Sequence, residues 1–273
     1  MHADLHTHST ASDGSLAPAE LVRQASERGL SILALTDHDT TLGLKTALDA
    51  GRRHGVRVVR SIELSTDVEV GEIHVLGYGI DPTNAELQST IARLRESSLG
   101  RIERIVARLA ELGYPLPKGS VHPSAVGASI GRPHVARAMI VAGHVASVAE
   151  AFDRFLGRGQ PAYIKRELLQ PTEAVALVRR AGGLPILAHP RSVDNLDAAL
   201  PLLIAAGLAG LEAFYGEYSG DQRLEIAALT DALGLLATGG SDYHGEGFRA
   251  GRELGCVDIP QPVLARFLAA VST

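Results

Sequence analysis

Cysteine is almost missing from this chain of 273 residues: Cys256 stands alone. That excludes a disulfide within the chain and a thiolate metal cluster. It also excludes the paired-cysteine zinc site of nucleobase deaminases. Tryptophan is absent and aromatic residues make up only 4%. Stacking platforms for long single-stranded nucleic acid are therefore poorly supplied. Lysine is scarce too: Lys45, Lys118 and Lys165 are the only three, so arginine carries nearly all the positive charge. The net charge of −5 argues against nonspecific grip on a long polyanion. No apolar run is long enough to span a membrane, and a polar histidine motif stands where a leader would begin. These features lead us to expect a cytoplasmic protein with no membrane contact and no obligate protein partner.

Hydrophobic residues make up 45%, enough to bury a full core, and the length suits one α/β domain with an insertion. In the first third, short apolar runs alternate with helical patterns. A strand from His2 to His8 leads into "SDGSLAPAELVRQASERG", where Ser15 is the candidate N-cap, Pro18 sits early and Gly29 closes the helix. "LSILALTDHD" reads as a strand, "GLKTALDAGRRHG" as a helix closed by Gly55, and "VRVVRSIELS" as a strand. A turn at Gly71 and a strand through His74 follow. This alternation predicts parallel strands joined by helices, with chemistry at the C-terminal strand ends. Residues from about 84 to 160 read mostly helical, as an insertion or lid. Strand–helix alternation then returns through "LPILAHP", "LAGLEAFY" and "LLATGGSDYH".

Histidines and acids concentrate on or just after these apolar runs. His6 and His8 share strand parity and point to one side. Asp13 follows them, and Asp37, His38 and Asp39 end the second strand. Glu63 lies in an apolar run, where an unpaired carboxylate is costly. His74, His189, Asp242 and His244 complete the pattern. Taken singly, each has a bland reading: an exposed H-x-H, a satisfied core histidine, a solvated acid. Together they favour a multinuclear site of imidazole and carboxylate, which suits zinc, manganese or iron. Arg132 and His134, near a helix start in "SIGRPHVARAM", suit a phosphate oxyanion. Lys165 is a weaker candidate contact, Arg191 weaker still, and Arg137 reads as a solvated surface arginine.

The ordered set "DLHTHSTASDG", "LTDHD", "IELS", "IHVLGYGID", "GRPHVARAM", "AHP" and "GSDYH" resembles the PHP (polymerase and histidinol phosphatase) family across nearly the whole chain. Within it the likeness is to stand-alone bacterial phosphoesterases of nucleotide phosphates, nucleoside bisphosphate phosphatases and 5′-3′ exoribonucleases among them. The resemblance implies a distorted (β/α)7 barrel over residues 1–273 with a helical insertion. It also implies two or three divalent ions (Mn2+, Zn2+ or Fe2+). One ion would be held by His6, His8, Glu63 and Asp242. A second would be held by Glu63, His74 and His189, and a third by Asp13, His38 and His244. Some members carry histidine where this chain has Asp13. Arg132 and His134 would contact the substrate phosphate and serve catalysis, with Lys165 as a further substrate contact. The reaction expected is in-line attack on phosphorus by a hydroxide bridging the ions. The substrate would be a small phosphorylated nucleotide or a short RNA end. The rival readings are an amidohydrolase or deaminase, a histidinol-phosphate phosphatase, and a degenerate, noncatalytic PHP domain.

Overall fold

The computed structural model describes residues 1–66, 73–121, 129–165 and 168–271. The turn expected at Gly71 lies outside them. A seven-stranded sheet holds the strands in chain order, β1 to β7. They are β1 (Ala3–Thr7), β2 (Ile32–Leu35), β3 (Arg57–Ser65), β4 (His74–Tyr78), β5 (Leu184–Leu187), β6 (Gly210–Tyr215) and β7 (Leu236–Gly240). Every residue of β1, β2 and β6 is buried, as apolar strands between helices require. The sheet nearly closes on itself. Beyond β7, Tyr243 bridges to Thr7 of β1, and Asp242 N donates to His6 O at 2.9 Å.

The expected parallel arrangement needs one correction. β4 runs antiparallel to both β3 and β5. Only residues 66–73 separate β3 from β4, too few for a parallel crossover of a dozen or more. The reversal matters for the site. It puts the start of β4, with His74, at the same rim as the C-terminal ends of the parallel strands. In the register Ser65 pairs with His74, two residues beyond Glu63.

The strands are linked by α1 (Pro18–Glu27), α2 (Leu44–His54), α6 (Pro171–Arg180), α7 (Leu196–Ala206) and α8 (Gly220–Ala232), and α9 (Gln261–Ala270) follows β7. Gly55 closes α2 in the left-handed conformation, as expected. Ser15 does not cap α1. The N-cap is Ala17, extended ahead of Pro18, and Ser15 N instead donates to His244 O at 2.9 Å. The chain between Ser15 and Pro18 is thus committed to the rim before the helix begins.

Between β4 and β5 come α3 (Ala85–Glu111), α4 (Arg132–Val141) and α5 (Val148–Ala151), the last continuing as a π-helix, Phe152–Leu156. α3 has 27 residues, about 40 Å of helix at 1.5 Å each. Its first half packs Leu87, Ile91 and Leu94 into the barrel core. Its second half sends Ile102, Ile105 and Leu109 into a separate apolar cluster with Val135, Met139, Phe155 and Leu156. One helix therefore ties the second cluster to the barrel.

Candidate metal centre

Glu63 is the hub. Its carboxylate is buried at 1% exposure, with Oε2 at 3.1 Å from His6 Nε2, 3.2 Å from His8 Nε2 and 3.4 Å from His38 Nδ1. Its Oε1 lies 2.9 Å from His74 Nδ1 and 3.4 Å from His189 Nε2. Asp242 Oδ1 stands 3.1 Å from His8 Nε2 and 3.4 Å from His6 Nε2. Asp13 Oδ1 stands 3.3 Å from His244 Nε2. All the imidazoles and acids singled out as ligands in the sequence thus meet at one rim. Burial alone would raise the Glu63 carboxyl, but His38, His6 and His74 hold it well below the usual carboxylate range. Asp13 behaves likewise: burial is outweighed by His244 and His38. The carboxylates are therefore charged, as cation ligands must be.

The backbone at the rim is strained. Among the described residues, positive φ outside glycine occurs at Asp39 (50°), His189 (29°) and Asp242 (56°), each just past a strand end. Such conformations persist where surrounding contacts over-determine them, and they cluster at functional sites. Here the contacts are buried acids. Asp37 accepts from Ser9 N, Ser9 Oγ and Ser12 Oγ, each at 2.7 Å, and so shapes the loop that carries His8 and Asp13. Asp4 accepts from Ser241 N at 2.9 Å and Ser241 Oγ at 2.6 Å, next to Asp242. Tyr215 and Arg252 both reach Asp242 Oδ2, at 2.9 and 2.6 Å.

Whether a metal fits can be judged from polar atoms without partners. His8 Nδ1 and Nε2, His38 Nδ1 and Asp13 Oδ1 are buried and make no hydrogen bond among the described residues. They meet the neighbouring acids and imidazoles only as ion pairs at 3.1–3.8 Å, with a shared ligand position open to a cation. The three residues that carry these atoms fall in one set, His8, Asp13, His38 and His244, in which one donor atom from each lies within 4.8 Å of the others. Two more sets meet the same limit: His6, His8, Glu63 and Asp242, and His38, Glu63 and His74. His189 stands beside Glu63 but outside these three sets, and His38 takes the place expected of it. Imidazole and carboxylate in such closed groups suit divalent transition metals.

The rim opens into a cavity of about 1050 Å³. Arg132 and His134, from the first turn of α4, line it. Arg132 Nη1 donates to Leu156 O at 3.1 Å, and its guanidinium lies 5.1 and 5.7 Å from the Phe152 and Tyr163 ring centroids. His134 Nδ1 accepts from Gly131 N at 3.2 Å. Lys165 is exposed and is not among the lining residues, nor is any other lysine of the described chain. Arg191 does line the cavity, with Nη1 at 2.8 Å from Glu225. Arg137 is not simply solvated: Nη2 donates to Asp13 O at 2.5 Å.

Sequence reasoning missed Glu212, which is fully buried in β6. Its Oε1 lies 2.9 Å from His6 Nδ1, and its Oε2 accepts from His189 N at 2.8 Å. The signal was present in "LAGLEAFY", where an acid interrupts an apolar strand just as Glu63 does. Phe248 and Arg252, on the loop after β7, carried no comparable signal.

The comparisons agree with this geometry. Residues 4–93 match the PHP domain. A 3′,5′-nucleoside bisphosphate phosphatase from Chromobacterium violaceum is 34% identical over 95% of this chain and 93% of its own length. A 5′-3′ exoribonuclease from Haemophilus influenzae is 33% identical over 97% of this chain and 98% of its own. Among solved structures, a predicted metal-dependent phosphoesterase from Bifidobacterium adolescentis aligns with TM-score 0.91 and 32% identity, covering 99% of this chain and 96% of that one. An amidohydrolase from Chromobacterium violaceum, solved with bound sulfate and no metal, aligns with TM-score 0.89 and 32% identity over 99% and 96%. The amidohydrolase reading finds no support in this cavity, because no lysine lines it to be carboxylated as a metal bridge. From its acid-and-histidine rim and its full-length relatives, the chain belongs to the PHP family and is a metal-dependent phosphoesterase.

Proposed function

We propose that this chain hydrolyses phosphomonoesters of nucleotides, of the 3′,5′-nucleoside bisphosphate or AMP type. The observation that carries this reading is the convergence of Glu63, Asp242, Asp13 and six histidines on a cavity also lined by Arg132 and His134. We assign His6, His8, Asp13, His38, Glu63, His74, His189, Asp242 and His244 as ligands of two or three Mn2+, Zn2+ or Fe2+ ions. When bound, such ions lower the pKa of water and neutralise phosphoryl oxygens. Glu63 and Asp242 hold the ligand imidazoles in register at the rim. Arg132, braced by Leu156 O and two rings, presents fixed positive charge to a phosphoryl oxygen. His134 stands beside Arg132 at the edge of the cavity as a substrate contact, and burial lowers its pKa below the ordinary imidazole value, so it acts there as a neutral ring. Residues 84–160 are read as a helical unit inserted in a single barrel domain, whose Arg101, Arg132, His134 and Phe152 line the cavity. The substrate class and the single cysteine suit the cytoplasm.

A second reading is removal of 5′ nucleotides from short RNA. The cavity, about 1050 Å³, lies just above the usual range for small-molecule sites, and the Haemophilus influenzae relative is named for that activity. A phosphate-release panel tests both. It compares AMP, 3′,5′-bisphosphates, histidinol phosphate and short 5′-phosphorylated RNA, each with manganese, zinc or iron. Nucleotide substrates should dominate, and the double variant His6→Ala/His8→Ala should lose bound metal and turnover together. Retained turnover in that variant, or uniformly low rates across the panel, would overturn the reading.

A further inference from the structure

α4 and the residue Ser129 ahead of it touch the loop carrying Asp13 at three consecutive residues. Ser129 N donates to Ala11 O at 2.8 Å, His134 hydrogen-bonds the Ser12 backbone, and Arg137 Nη2 donates to Asp13 O at 2.5 Å. Arg137 has a second contact: its guanidinium carbon lies 6.0 Å from the centre of the Phe248 ring. Phe248 in turn stacks on His244, with centroids 4.7 Å apart and planes 16° from parallel. His244 faces back to Asp13, Nε2 to Oδ1 at 3.3 Å, and stacks on His8 at 4.1 Å. A circuit therefore runs from Arg137 through Asp13, His244 and Phe248 to Arg137 again.

That circuit holds two members of the set His8, Asp13, His38 and His244, and its His244 ring stacks on a third, His8; buried donor atoms of His8, His38 and Asp13 make no hydrogen bond there. Neither Arg137 nor Phe248 can ligate a cation: a guanidinium stays protonated and a phenyl ring has no lone pair. Their effect must pass through the ligands. The direction of the arginine bond is informative. A guanidinium on the Asp13 carboxylate would compete with a metal ion, whereas one on its carbonyl fixes the loop and leaves the carboxylate charge in place. Phe248 fixes the plane of the His244 ring, so that Nε2 stays turned to Asp13. Asp13 and His244 come from loops more than two hundred residues apart in sequence; backbone bonds from His8 N to Tyr243 O and from Ser15 N to His244 O join the loops, and the clamp adds a side-chain constraint on the two ligands themselves.

We propose that Arg137 and Phe248 are positioning residues that assemble the His8–Asp13–His38–His244 cation site, and so make its occupancy depend on the docking of α4. The proposal rests on the reading of this cluster as a metal centre. The experiment is calorimetric titration of Mn2+ into the metal-stripped full chain. It compares wild type, Arg137→Ala, Phe248→Leu and Phe248→Tyr, with thermal melting of each metal-free form. One class of Mn2+ site should weaken about 10- to 100-fold in Arg137→Ala and in Phe248→Leu, the range seen when partners of metal ligands are removed. Phe248→Tyr, which keeps the ring, should bind as wild type does. The double variant Arg137→Ala/Phe248→Leu should fall no further than the worse single. Unchanged isotherms in both single variants would overturn the proposal while leaving the metal reading intact. So would equal weakening of every class together with a lower melting point of the metal-free form. A wild-type chain that binds no Mn2+ would overturn the metal reading itself, and the proposal with it.

Discussion

Glu212 illustrates what a single buried charge does at this rim. It accepts from His189 N on one oxygen and faces His6 Nδ1 with the other. A proton held on Nδ1 leaves the Nε2 lone pair directed at Glu63 and Asp242, where a cation would sit. Glu212→Gln keeps the shape but turns an amide NH2 towards one of two donors. Metal affinity should fall about 10- to 100-fold, with little change in the fold, as read by metal analysis and circular dichroism. An affinity equal to wild type would mean that Glu212 is only core filler. The ligand residues themselves were legible because imidazoles and acids are rare on apolar runs and recur here at strand ends. Glu212 obeys the same rule from within a strand rather than at its end, where an acid on an apolar run is harder to tell from a structural one. The partners chosen by proximity, such as Arg137 with Asp13 and Phe248 with His244, follow from tertiary docking, and nothing local in the chain encodes them.

At the scale of elements, hydrophobic periodicity located the strands and helices well, since strand segments such as "LPILAHP" and helices such as "PTEAVALVRRAGG" differ plainly in period. Direction is what periodicity does not carry. The reversal of β4 follows from the short link to β3, and it brings His74 to Glu63 from the opposite chain direction. The seam between β1 and β7 has its own requirement. A Cβ on Gly240 would collide with the backbone nitrogen, Cα and Cβ of His6. Gly240 therefore lets the last strand close on the strand that bears the first ligand. Gly240→Ala should cost about 1–3 kcal/mol of stability, the usual range for overpacking a tight core. It should also reduce metal binding, because His6 must move. Denaturant unfolding and metal content measured on the same sample test this, and a variant with wild-type values for both would show that the seam has slack.

For the molecule as a whole, the barrel and its bound cations should behave as one thermodynamic unit. Asp13, Glu63 and Asp242 come from three separate stretches of chain and lie buried within one cluster, with their charges retained. Histidines compensate part of that charge when no cation is present, but His38 is disfavoured as a cation, its pKa lowered to about 4 by burial. Divalent ions would offset the remaining negative charge and bind donor atoms of His8, His38 and Asp13 that make no hydrogen bond among the described residues. Because the unfolded chain has no such cluster, each ion binds the folded state preferentially, and its binding energy becomes folding energy. At a free ion concentration 100 times Kd, one site contributes about 2.7 kcal/mol. For a chain of this size that corresponds to a rise in Tm of roughly 5–10 °C. Chelation should therefore lower Tm by that order, and Mn2+ added back should restore it in a concentration-dependent way. The double variant His6→Ala/His8→Ala, which breaks two of the three ligand groups, should show a much smaller rise in Tm on adding Mn2+. A wild-type Tm indifferent to chelator and to Mn2+ would mean that the rim is held together by its own ion pairs, and that cations contribute nothing to the fold.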